Sequence, residues 1–194
     1  MEQFTIKVNY VERNTMNIIY NMTHCCHIID AMLVQKRDEV YKMEYEIVEL
    51  EERIAVGVSA RTNNQAPNMP IIIGGLWEQF FQKGIYNQIE HKINGKTMGL
   101  YSNYENQMYG DYDITVCCEV SSQNNQPEGT VMKMIPAGKY AKFIVRGSME
   151  KAVAEFWTEL WNMGLKRTYT GDFEEYQEGG SPEDCEIHIL IAIE

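Results

Sequence analysis

Cysteine is scarce in this 194-residue chain, and awkwardly placed: Cys25-Cys26, Cys117-Cys118 and a lone Cys185. An odd count at such spacings makes a poor disulfide framework and fits a reducing compartment. No run of about 18 apolar residues is present, and the opening Met1-Glu-Gln-Phe-Thr-Ile-Lys7 lacks the basic-then-apolar order of a secretion signal. The expectation is a cytoplasmic protein with no membrane contact. Catalytic signatures are missing too. His91 and His188 accompany no nucleophile motif, and Gly74-Gly75 lacks the other glycines and the lysine of a phosphate cradle. His24-Cys25-Cys26-His27 looks like a zinc cluster, but adjacent cysteines on a helix diverge by roughly 100° and no second ligand pair exists. Neither a metal nor another cofactor is expected.

Excess positive charge is also absent. Of 17 basic and 28 acidic side chains, residues 1–42 hold five of each, so residues 43–194 carry the whole net charge of −11. Such a body repels phosphate backbones and favours cationic partners. What is present is 44% hydrophobic content, enough to fill a core, with aromatic residues spread along the chain.

Residues 1–42 read as an extension with one amphipathic helix. From Thr23, Cys25, Ile28, Ile29, Met32 and Leu33 form an apolar stripe over 23–36, which docks on the body, on a second copy as a homodimer, or on a partner protein. This is too short for a helix-turn-helix unit, so direct nucleic-acid binding is not expected. Residues 43–194 read as a domain containing one plan twice. Strands fall at 45–50 and 54–60. A helix from Pro70 to Gly84 follows, with rows Ile72/Leu76/Phe80 and Ile73/Trp77/Phe81, and then strands near 98–104 and 114–120. The plan restarts with a strand at 140–146. A helix after Ser148 has Val153/Trp157/Trp161 beside Phe156/Leu160 and stops at Gly164, and strands near 170–176 and 186–193 close the chain.

Trp77–Ile85 matches Trp157–Leu165 at an offset of 80, and Asp113–Val120 matches Glu186–Ile193 at 73; one shorter helix-to-strand connection explains both. The reading is an α+β fold: a duplicated β-α-β-β unit with pseudo-twofold symmetry, antiparallel sheets, two main helices and a central cleft. Within Asp172-Phe-Glu-Glu-Tyr176, strand alternation puts Asp172, Glu174 and Tyr176 on one side. With Phe173 in the helix-backed core, Glu174 and Tyr176 point to the opposite, concave face. The 73-residue offset sets Tyr101 across the pseudo-axis from Glu174. A carboxylate walled by aromatic rings suits a lipophilic cation. Glu119 lies opposite Ile114, Val116, Cys118 and Val120 on its strand and is a second candidate for the cleft; Trp77 or Trp157 reaches its floor.

Leu76-Trp77-Glu-Gln-Phe80, Asp111–Val120, Ile135-Pro-Ala-Gly-Lys-Tyr140-Ala and Asp172–Tyr176 with the last strand resemble the GyrI-like small-molecule-binding domain. This is the bacterial effector-binding domain found fused to AraC- and MerR-type regulators and also free-standing. The resemblance implies Glu174 as the ligand-binding acid with Tyr176, Trp77 and Tyr101 as walls; the doubled Glu174-Glu175 leaves the inward carboxylate open. The candidate ligand-binding set is therefore Glu174, Tyr176, Trp77, Tyr101, Glu119 and Phe81. The expected function is a stand-alone binding module for hydrophobic, cationic small molecules, acting as sensor or regulator. The alternatives are a hydrolase of electrophilic compounds using Glu174 or Glu119 as base, and a protein-interaction inhibitor module.

Overall fold

A computed structural model describes residues 43–194; the 23–36 helix, the His24–His27 cluster and the rest of the extension lie outside the described residues. The described elements are β1 (Glu46–Leu50), β2 (Arg53–Thr62), α1 (Met69–Phe81), α2 (Ile85–Gln88), β3 (Thr97–Ser102) and β4 (Tyr112–Val120). They continue with β5 (Val131–Ile135), β6 (Gly138–Gly147), α3 (Met149–Leu160), β7 (Asp172–Tyr176) and β8 (Cys185–Ala192). The fold is α+β. The strands form one eight-stranded sheet in the order β1-β6-β8-β7-β3-β4-β2-β5, and every pairing is antiparallel.

The duplication is visible in that order. β6-β8-β7 repeats β2-β4-β3, and the two units join edge to edge where β3 meets β7. Leu100 pairs with Phe173 there. These two residues are also related by the 73-residue offset, so their pair sits on the pseudo-twofold axis. Thr62 ends β2 and Gly147 ends β6, yet α1 starts at Met69 and α3 at Met149. The first half therefore spends a longer connection, Asn63–Asn68, on entering its helix. It also inserts the short α2 before β3. The halves are copies with different loops.

Alternating apolar residues give the sheet two faces. On one, Val56, Val116, Cys118 and Val120 pack with Leu76 and Phe80 of α1, while Phe143, Ile187, Ile189 and Ile191 pack with Phe156 and Leu160 of α3. On the other, Met98, Leu100, Cys117, Ile135, Tyr140, Phe173 and Leu190 form a second core, flanked by Val48 and Leu50 of β1. This corrects one expectation. Phe173 is buried on the face away from the helices, and Glu174 and Tyr176 point to the helix side. Period-two alternation establishes that Phe173 and Glu174 oppose each other, but not which side the helices cover. The second core also relies on β5, an edge strand that sequence pattern did not reveal, because only Ile135 of its five residues is buried.

Gly57 shows how tightly β2 lies against β4. A Cβ there would fall 1.9 Å from the Val116 carbonyl oxygen and 2.6 Å from Cys117 Cα. Backbone cannot swing aside as a side chain can, so Gly57→Ala should cost about 1–3 kcal/mol. Thermal unfolding should move down by roughly 2–12 °C; an unchanged midpoint would contradict the close approach.

Candidate functional site

α1 and α3 cover their own halves of the sheet and leave a gap above the β3–β7 junction. The gap is a cavity of about 810 Å³. Each helix uses one row of its stripe for the core and the next for this cavity: Leu76 and Phe80 are buried, whereas Ile73 and Trp77 line the cavity. The same holds for Phe156 and Leu160 against Val153, Trp157 and Trp161. Tyr101 of β3, Tyr112 of β4 and Glu174 and Tyr176 of β7 supply the floor.

Glu174 is 3% exposed. Its Oε1 accepts hydrogen bonds from Trp157 Nε1 at 2.6 Å and the Tyr101 hydroxyl at 2.8 Å, and its Oε2 accepts one from the Tyr176 hydroxyl at 2.7 Å. The indole of Trp157 stands edge-on to Tyr101, and that of Trp77 edge-on to Tyr176, each with ring centres 5.0 Å apart. The pseudo-symmetry-related pair Tyr101 and Glu174 is thus directly bonded. All three donors are neutral, and no lysine, arginine or histidine among the described residues offsets the charge. Burial pushes the Glu174 carboxyl above its usual value, although the three hydrogen bonds pull it down. Burial next to this carboxylate also raises the Tyr101 and Tyr176 hydroxyls well above theirs.

Glu175 points the other way. Burial raises its carboxyl, but hydrogen bonds from Gln177 and Lys96 and the charges of Lys96 and Arg53 more than offset this and hold it below the usual range. Lys96 lies 3.0 Å and Arg53 3.6 Å from it. The inward carboxylate of the pair is Glu174. Glu119 is on that far face too, 3.1 Å from Arg53, and does not line the cavity. Strand alternation sets Glu119 opposite Ile114 and Val116, and the cavity lies on their side. Phe81 stacks on Trp77, with ring centres 5.9 Å apart, and borders a neighbouring cavity of about 300 Å³ instead.

Sequence reasoning left Tyr104, Tyr112 and Arg167 out of the site. Tyr112 was legible, since it shares a strand face with Ile114 and Val116. Tyr104 and Arg167 sit in connections, where periodicity carries no information. The Tyr104 hydroxyl donates to Asp172 Oδ2 at 2.9 Å, and Arg167 Nη2 donates to the same oxygen.

Residues 46–193 match the family Cass2, described as integron-associated effector binding protein. YobU of Bacillus subtilis strain 168, whose name describes a transcriptional regulator protein, is 31% identical over 153 residues, covering 76% of this chain and 96% of that one. The integron cassette protein VCH_CASS2 from the mobile metagenome of Vibrio cholerae is 32% identical, with a TM-score of 0.60 over 76% of this chain and 95% of that one. SAV2435, solved bound to tetraphenylphosphonium, shares the fold at 21% identity and a TM-score of 0.62, covering 77% and 94%.

Proposed function

The chain belongs to the integron-associated effector-binding protein family, an effector-binding domain related to transcription regulators, and from that premise we propose that its cavity binds lipophilic organic cations. The observation that carries this reading is Glu174: a buried carboxylate with three neutral donors and, among the described residues, no cation to neutralise it. An organic cation entering the cavity supplies the missing charge where the dielectric is low. The rings of Trp77, Trp157 and Tyr101 add cation–π attraction and apolar burial. Glu150 and Glu183 also border the cavity, so entry is favoured for positive ligands and weakens with salt. In this role the protein senses or sequesters its ligand. SAV2435, which shares only the fold, supplies the probe.

Glu174 also sets a pH dependence. Its folded-state pKa is raised, so the folded protein keeps this proton at pH values where the unfolded chain has released it. The group therefore favours folding below that window and opposes it increasingly as the pH rises through it. Cation affinity runs the other way, rising over the same window as the carboxylate forms. Titrating tetraphenylphosphonium into the full chain should quench tryptophan emission with one ligand per chain, and more tightly at pH 7.5 than at pH 4.5. Tetraphenylborate, similar in shape and opposite in charge, should not bind. Equal affinity for the two ions, or an affinity flat with pH, would remove the assigned role of Glu174.

A further inference from the structure

The floor of the cavity holds a second buried charge that the cation reading does not use. Arg167 lines the cavity, and its side chain is 6% exposed. A guanidinium carries five N–H donors. Here Nη2 reaches Asp172 Oδ2, while Nε is buried and has no partner among the described residues. Both oxygens of Asp172 are already engaged: its Oδ1 accepts the Ala192 backbone N–H at 2.8 Å, and its Oδ2 is shared between Arg167 and the Tyr104 hydroxyl. The guanidinium lies 4.3 Å from the Tyr169 ring centre and 5.6 Å from that of Trp157. Trp157 is the same indole whose Nε1 binds Glu174. One indole thus separates an uncompensated carboxylate from an arginine with spare donors. Burying unused donors on a charged group is costly unless something meets them.

We propose that Arg167 is a specificity residue that takes an oxygen acceptor of the ligand, so that the preferred effectors are lipophilic cations carrying a neutral carbonyl-type oxygen on a short arm. This rests on the cation reading above and refines it. The charges agree. Two carboxylates against one guanidinium leave the floor at about −1, which one cation with a neutral acceptor balances. A carboxylate on the ligand would cancel its positive charge and leave the floor unbalanced. Asp172 and the aromatic faces hold the guanidinium in place, so a ligand oxygen that reaches its unused donors costs little side-chain freedom.

The test compares alkyltriphenylphosphonium ions with counterparts whose arm ends in a carboxamide, at arm lengths of two to six carbons. At the best length the full chain should bind the carboxamide about tenfold more tightly than the plain alkyl ion. Arg167→Lys keeps a positive charge beside Asp172 but loses the planar fork. It should bring that ratio to about one, whatever it does to the affinity for the plain ion. In the unsubstituted protein, the Arg167 Nε–H resonance should shift and gain exchange protection with the carboxamide probe and not with the alkyl probe. This reading works even if the variant folds poorly. A ratio near one in the unsubstituted protein, or the same ratio in Arg167→Lys, overturns the inference. If the plain ion binds and depends on Glu174 while the ratio is one, only this inference falls; if neither probe binds, the cation reading falls with it.

Discussion

Replacing Glu174 by Gln should weaken tetraphenylphosphonium binding by at least about thirtyfold at pH 7.5. Losing one partner of a buried charge pair costs about 2–5 kcal/mol, and 1.4 kcal/mol is a factor of ten. Gln preserves shape and can still accept from Trp157 and Tyr101, while its amide donates to the Tyr176 hydroxyl, so the floor need not collapse. Stability should separate a lost binding site from a lost fold. Because the carboxylate is desolvated and its pKa is raised, the ligand-free variant should be at least as stable as the parent at pH 7.5. That advantage should shrink as the pH falls and the parent carboxyl takes up its proton. Calorimetric titration and thermal unfolding on the same preparations measure both quantities. A variant with full affinity would mean that aromatic burial alone holds the ligand.

The second large effect concerns stability. Asp172 is completely buried and joins three parts of the chain: the β8 backbone at Ala192, the Tyr104 hydroxyl after β3 and the Arg167 guanidinium before β7. Asp172→Ala strands the Arg167 charge, and that should cost about 3–5 kcal/mol. At 2–4 °C per kcal/mol for a chain of this size, the midpoint should fall by roughly 6–20 °C. Asp172→Asn keeps an acceptor for Ala192 and should fall between the two. Combining Asp172→Ala with Arg167→Leu should recover part of the loss, because the stranded charge is gone. Denaturant unfolding of the four proteins would decide it. A cost below about 1 kcal/mol for Asp172→Ala would mean that water reaches Arg167 and stands in for the carboxylate.

Much of the architecture was legible because it repeats and because it obeys simple periods. The Trp77 and Trp157 helices announced themselves by their i, i+4 rows, and the unequal offsets of 80 and 73 located the shorter helix-to-strand connection. β5 escaped, since an edge strand with one buried residue carries no alternation. Of the cavity-lining residues, Glu174, Tyr176 and Tyr101 were named from strand parity and the repeat, and Trp77 from its helical row and the family resemblance. Glu119 was placed in it because parity is silent about which face is hollow. Arg167 was missed because its position in a connection follows no period at all.

The acidic balance of residues 43–194, the duplicated β-α-β-β plan and the opposition of Phe173 to Glu174 are properties of the sequence alone. They follow from side-chain chemistry and from the two-residue and 3.6-residue periods of the backbone. Which carboxylate of Glu174-Glu175 is denied a counter-charge was decided only by the tertiary structure. The far face brings Lys96 and Arg53 to Glu175. Among the described residues, the helix face brings Glu174 only neutral donors from β3, β7 and α3, and desolvation does the rest. Burial and counter-charge depend on residues far apart in sequence, so no local pattern encodes them.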